Sequence, residues 1–362
     1  MDHAYAVVMA GGGGTRLWPI SRRDHPKHVL PLLGERTLFQ NTLDRLDGVI
    51  PNERVFIVTT VEQVELLKDQ APQLPVDNFI VESMPRGTAS VIGLAAEVIS
   101  KLDPEGVMVV LPSDHFIHDR GKFQQALQVA YETASNDYLV TLGIKPTFPA
   151  TGFGYIMKGA GLTLNLDLPA YHVTKFTEKP DEEEASRMLG TGEYSWNSGM
   201  FIWRAKNILN EFSRQMPDLK TALDSIGATW GSARQETTLK SLWLNLKPET
   251  IDYGIMENAV NVAVVLVEGM GWTDVGSWDS LFDVITPDEH GNVVINGETI
   301  IIDSHRSLFD STSRKKLIAA IGVDDLIVID SEDALLICHR DQAQKVREVI
   351  ARLKDLKREE YL

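Results

Sequence analysis

From residue 4 the chain alternates between two textures. Unbroken apolar runs, "AYAVVMA", "RVFIVTT", "NFIVES", "GVMVVLP" and "YLVTLGI", are separated by segments with apolar residues at helical spacing, such as "TLFQNTLDRL", "VEQVELLKDQ", "ASVIGLAAEVISKL" and "KFQQALQVAYETAS". A strand apolar on both faces must be covered on both faces, and intervening amphipathic helices supply the cover. The pattern therefore predicts a doubly wound α/β fold with a mostly parallel sheet. After about residue 285 the texture changes to short β runs, "NVVIN", "ETIIID", "LIAAIG", "DLIVID" and "ALLICHR", punctuated by Gly, Asn and Asp with no helix between them. A boundary is expected there, giving a larger domain over 1–285 and a small β domain over 286–362. The tail carries Val346, Val349, Ile350, Leu353 and Leu356 at helical spacing. It reads as an amphipathic helix that packs on its own protein or on a neighbouring copy, which leaves a homodimer open.

In an open parallel sheet, ligands sit beyond the carboxyl ends of the strands, so polar clusters directly after apolar runs are the places to search. "AVVMA" is followed by "GGGGTR", "GVMVVLP" by "SDH", and "NVAVVLVEGM" by "GWTDVGSW". Strand ends also need caps, and Asp114 or Asp119 could simply cap the helix beginning near "KFQQAL". A dinucleotide fingerprint starting at Gly11 requires Gly at position 16, where this chain has Arg16, and a P-loop fails at the same place. What survives is shared physics: residues without Cβ let backbone N–H groups approach phosphate oxygens.

Charge sharpens this picture. The 35 basic and 51 acidic side chains leave a net charge of −16, the wrong sign for a protein that neutralises nucleic acid. Against that field, Arg16, Arg22, Arg23 and Lys27 crowd behind the glycines with one acid, Asp24, among them. A small anion is the ligand such a cluster suits; the alternative is a solvated basic face. No apolar stretch reaches a membrane span, and the start lacks a signal-peptide pattern, so no membrane partner is expected and the cytoplasm is the default. The single cysteine, Cys338, lies in the apolar run "ALLICHR" and is assigned no chemistry.

"GGGGTRLWPISRRDHPKH" resembles the signature of the sugar-1-phosphate nucleotidylyltransferases, in particular those that transfer GMP to mannose 1-phosphate. "ESMPRGTA", "LPSDH", "TGFGYI", "FTEKP", "WNSGMF" and "GWTDVGSW" follow in the family's order, so the resemblance spans essentially the whole chain. Ser83, Gly87 and Ser90 depart from the usual pattern, in the segment that reads the base. The resemblance implies a left-handed β-helix for the C-terminal domain. It also implies GTP and mannose 1-phosphate as substrates, Mg2+ as cofactor, and GDP-mannose with pyrophosphate as products.

On this resemblance, Gly11, Gly12, Gly13, Gly14 and Thr15 wrap the triphosphate. Arg16 and Lys27 neutralise the leaving pyrophosphate, and Asp114 and Asp274 hold the metal, a hard cation suited to carboxylate oxygen. Glu82 accepts two hydrogen bonds from guanine N1–H and N2–H2 within a loop containing Arg86, Gly87 and Thr88. Gly152 lies along the hexose, Glu178 and Asn197 bind its hydroxyls, and Lys179 holds its phosphate. His115 is left structural. The attacking sugar phosphate is already an anion, so no general base is needed and the lack of a Ser-His-Asp or Cys-His set is expected. Alternatives are a relative using another base or hexose, a nicotinamide or flavin oxidoreductase disfavoured by Arg16, and a non-catalytic sensor on the same fold.

Overall fold

The long apolar runs form the strands of one sheet: β1 (Ala4–Ala10), β2 (Val55–Thr60), β3 (Phe79–Glu82), β4 (Val107–Pro112), β5 (Leu139–Ile144), β6 (Tyr155–Gly161), β7 (Ala170–Thr177), β8 (Tyr194–Arg204) and β9 (Val262–Val267). Their order is β3-β2-β1-β4-β8-β5-β9-β7-β6. The computed structural model describes residues 1–164, 167–312 and 316–362. They form two units, and the sheet belongs to the first, which comprises Met1–Gly11, Leu43–Pro112 and Ile117–Met270.

Among the described residues the sheet is mostly parallel, with β7 and β8 running against the other strands. The sequence pattern did not distinguish these two, because alternation and burial carry no strand direction. β1 to β4 are parallel neighbours, so Ala10, Thr60, Glu82 and Pro112 end at one edge, with Ala10 beside Thr59, Thr60 beside Glu82, and Met9 beside Pro112. The chain leaves this edge through Gly11 and through Ser113. The helix Gly87–Leu102 covers one face of the sheet, burying Ala89, Ile92, Leu94, Ala95 and Ile99 in a core that includes Phe201, Trp203 and Phe212. Each such large aliphatic side chain contributes roughly 1.5–3 kcal/mol when fully buried.

The second unit comprises Gly12–Thr42, Ser113–Phe116 and Gly271–Leu362. Its short strands stack in parallel as a coil: Val293–Val294 on Leu308–Ser311 on Leu326–Asp330, and Glu298–Ile302 on Leu317–Ile321. Neighbouring turns are offset by 19 residues at His305 and Asp324, at Ser304 and Val323, and at Ser307 and Leu326. Left-handed backbone recurs at the corners, at Asp303 and Gly322 and at Arg306 and Asp325. Buried Ser304, Ser307 and Asn292 satisfy corner backbone groups, which lets polar residues occupy the inside of the coil. Leu335–His339 pairs antiparallel with Leu326–Asp330 and ends the stack.

The tail forms the helix Val346–Asp355, whose Val346 and Ile350 are buried with Leu17, Trp18, Val275 and Trp278. The expected amphipathic helix thus packs on its own chain. Trp278 Nε1 donates to the Trp18 carbonyl at 2.9 Å, and Trp18 Nε1 donates to the Tyr361 carbonyl at 2.8 Å. These motif tryptophans support the segment that carries Arg16.

Candidate active site

The glycine run changes unit after Gly11. Within the first unit, a Cβ on Gly11 would stand 3.2 Å from Glu82 Oε1. Within the second, Gly14 has φ +49, and a Cβ there would lie 2.6 Å from Lys27 Cβ and 2.8 Å from its backbone nitrogen. Gly14 is therefore required both by conformation and by space. Thr15 opens the short helical turn Thr15–Leu17, and Arg16 lies within it.

Lys27 is 4% exposed, and its ammonium is the centre of the second unit's polar cluster. Nζ lies 2.6 Å from Asp114 Oδ2 and donates to the Asp274 carbonyl at 2.6 Å. Burial alone would raise the Asp114 carboxyl, but Lys27, His115 and His28 outweigh it and hold Asp114 far below the usual range. Asp274 is pushed up by burial, opposed by Lys27 and Arg16 and reinforced by Asp114. Two carboxylates and two cations thus share one electrostatic neighbourhood, although Lys27 and Asp274 are separated by 247 residues. Asp114 is free for this role because Asp119 caps the following helix, accepting from Lys122 N at 2.9 Å. His115 receives Trp272 Nε1 at 3.2 Å and packs edge-on against that ring, consistent with a structural part.

The donor set suits a hard divalent cation. It consists of carboxylate oxygens, and no group of three or more His, Cys, Asp or Glu among the described residues forms a complete metal shell. A cation held here would complete its coordination with substrate oxygens, as Mg2+ commonly does.

In the first unit, Glu82 ends β3 with 4% exposure. Burial pushes its carboxyl up to about 7, against hydrogen bonds from Arg86 N and the Trp243 side chain. The rest of the predicted base loop is tied to residues 243–251. Arg86 Nε donates to the Trp243 carbonyl at 3.1 Å and Nη2 donates to the Leu244 carbonyl, so the guanidinium is committed to backbone. Gly87 has φ +81, and a Cβ there would overlap the Glu249 carbonyl, which accounts for glycine at this departure from the family pattern. Thr88 Oγ1 accepts from Ile251 N at 2.8 Å.

Elsewhere in the first unit, Glu178, Lys179 and Asn197 come together. Lys179 Nζ bonds Glu178 Oε1 at 2.6 Å, and Lys179 itself has φ +46. Asn197 stands where a bulge shifts the β5–β8 register between Thr141 and Gly143, a device that re-aims side chains. Gly152 has open space around it, whereas a Cβ on Gly154 would lie 2.5 Å from Glu178 Oε2 and 3.3 Å from Asn197 Cβ. The helix that follows "FTEKP" begins at Glu182 and is capped by the Asp181 side chain.

Two acids that the sequence pattern does not single out join this group. Asp252 accepts from Asn197 Nδ2 at 3.0 Å, and Glu257 accepts from Glu178 N at 3.3 Å. Burial, then Glu178, pushes the Asp252 carboxyl up to about 7. In the sequence both acids look like ordinary polar residues of "IDYGIMEN", and only tertiary pairing marks them.

The fold and these clusters define a nucleotidyltransferase, and residues 5–291 match the family described as Nucleotidyl transferase, to which the chain belongs. Residues 297–353 match a MannoseP isomerase/GMP-like beta-helix domain. The chain is 38% identical over 358 residues to the mannose-1-phosphate guanylyltransferase of Klebsiella pneumoniae, covering 98% of this chain and 75% of that protein. It is 35% identical over 353 residues to the alginate biosynthesis protein AlgA of Pseudomonas aeruginosa, covering 95% and 71%. A solved structure from Thermus thermophilus, described as a mannose-1-phosphate geranyltransferase, superposes with a TM-score of 0.87 at 34% identity, covering 97% of this chain and 99% of that one. No helix among the described residues is long and apolar enough to cross a membrane.

Proposed function

We propose that this chain transfers GMP from GTP to mannose 1-phosphate, giving GDP-mannose and pyrophosphate. The observation that carries the reading is the gathering of Lys27, Asp114, Asp274 and Arg16 behind the glycine run, in a chain so similar to named guanylyltransferases. In the reaction an oxygen of the sugar phosphate bonds to the α-phosphorus. The bond from that phosphorus to the bridging oxygen breaks, and its electron pair leaves with pyrophosphate. No proton need move, so the protein's task is positioning and neutralisation of charge.

In this reading Gly11 to Gly14 and Thr15 hold the triphosphate, and Arg16 and Lys27 balance the charge that grows on the leaving group. Asp114 and Asp274 would hold Mg2+, which when bound supplies charge neutralisation at the phosphates. Glu82 reads guanine through two parallel hydrogen bonds, while Arg86, Gly87 and Thr88 keep its loop in shape. Gly152, Glu178 and Asn197 meet the hexose and Lys179 its phosphate. The reading assigns catalysis to 1–285 and the coil and terminal helix to 286–362, and it places the enzyme in the cytoplasm. Pyrophosphate release measured with each nucleoside triphosphate and mannose 1-phosphate tests it. Turnover fastest with GTP is expected, and no turnover with GTP, or faster turnover with UTP or dTTP, would overturn it.

A further inference from the structure

We propose that Asp252 is a positioning residue for hexose recognition, fixing the Asn197 amide so that a single N–H, and no acceptor, is left for the substrate. This deepens the guanylyltransferase reading above and rests on it.

Asn197 is 7% exposed. Its Oδ1 accepts from Thr141 Oγ1 at 2.9 Å and from Gly199 N at 3.1 Å, which uses both lone pairs. A backbone N–H can only donate, so the Gly199 bond identifies the atom facing the bulge as the oxygen, and Asp252 then holds the NH2 end. One of the two N–H groups is taken by Asp252 Oδ1 at 3.0 Å. The other is the group's remaining hydrogen-bonding capacity. Glu178 brings a carboxylate to the same locality, since its Oε2 and Asn197 Cβ both border the position a Cβ on Gly154 would take. A donor next to an acceptor suits a sugar hydroxyl, which accepts from the first and donates to the second.

Asp252 is itself held by the head of the helix Gly87–Leu102. Ile251 N donates to Thr88 Oγ1 at 2.8 Å, and Ala89 N donates to the Glu249 carbonyl at 3.1 Å. The side chain of Thr250 caps the short helix Ile251–Gly254. The carboxylate therefore comes from a segment tied down on both sides of it, as a group that aims another must be.

The test compares kcat and KM for GTP and for mannose 1-phosphate in wild type, Asp252→Ala, Asp252→Asn, Asn197→Ala and the double variant Asp252→Ala/Asn197→Ala, by pyrophosphate release. Asp252→Ala should raise KM for mannose 1-phosphate about tenfold or more, with KM for GTP nearly unchanged. Asp252→Asn keeps a carbonyl oxygen for the same bond and should recover most of the loss. Once Asn197 is gone, removing Asp252 should cost little more. Should Asp252→Ala fail to fold, Thr141→Val removes one of the two donors that hold the amide oxygen and should raise the same KM selectively. Wild-type kinetics in Asp252→Ala, a parallel rise in both KM values, or additive effects in the double variant would overturn the assignment. Absence of turnover by the wild type with GTP and any hexose 1-phosphate would instead overturn the guanylyltransferase reading.

Discussion

Replacing Glu82 by Gln removes an ionisable group while keeping its shape, and the structure gives a pH dependence for what is lost. The carboxyl is buried at the end of β3 and pushed up to about 7, with Arg86 lowering it and Glu62 raising it by smaller amounts. Guanine presents two donors, so it pairs with the ionised form, and the proton must leave before GTP binds. Affinity therefore rises with pH up to the carboxyl's own value and levels off above it. About one unit below that value only about a tenth of the molecules are ionised, and about one unit above it about nine tenths are, so this group alone should change KM for GTP about tenfold across the interval. The γ-phosphate of GTP titrates in the same region, so the informative quantity is the ratio of variant to wild type across pH. Glu82→Gln should lose roughly 10- to 100-fold in kcat/KM at alkaline pH, the scale of a charge-assisted bond, and the gap should narrow as pH falls. Inosine triphosphate, which lacks the 2-amino group, should discriminate wild type from the variant less than GTP does. A constant ratio across pH, or equal loss with both nucleotides, would refute the assignment of Glu82 to the base.

Other expectations follow from single contacts. Gly14→Ala places a methyl 2.6 Å from Lys27 Cβ and should displace the lysine from Asp114, costing on the order of 10²-fold in kcat, read by pyrophosphate release beside a thermal unfolding curve. Asp274→Ala should lower turnover by a similar factor and raise the Mg2+ concentration needed for half-maximal rate; an unchanged Mg2+ titration would remove Asp274 from the metal. Asp310 in the coil is 1% exposed, and burial pushes its carboxyl up to about 6 despite the Asn296 bond. The folded state thus holds that proton after the unfolded chain has released it. Its contribution is present in acid and is lost as pH rises through about 6. Asp310→Asn should therefore gain up to about 3 kcal/mol over wild type at neutral pH and little in acid, measured by urea unfolding at both.

How much of this was legible along the chain varies from element to element. β1 to β5 stood out because strands buried on both faces leave long apolar runs, whereas the second unit, which takes in Gly12–Thr42 and Ser113–Phe116 and begins its last segment at Gly271, was not readable as a single break near residue 285, because it is assembled from segments distant in the chain. The 19-residue offset of the coil was not visible, since its turns repeat backbone geometry, Asp303 with Gly322 and Arg306 with Asp325, rather than residue type. Thr88 and Arg86 were expected at the base, yet their side chains hold residues 243–251.

What the sequence determined by itself was local: helical and strand periodicity, a glycine run that can only be a close backbone approach or a turn, and cations placed a few residues behind it. Such features depend on neighbours in the chain and can be read there. Only the tertiary structure decided that Lys27 lies against both Asp114 and the Asp274 carbonyl, that Glu82 is buried enough to shift, and that Asp252, 55 residues from Asn197, aims its amide. Ionisation and hydrogen-bond capacity depend on which groups share a buried space, and folding assembles that space from distant segments.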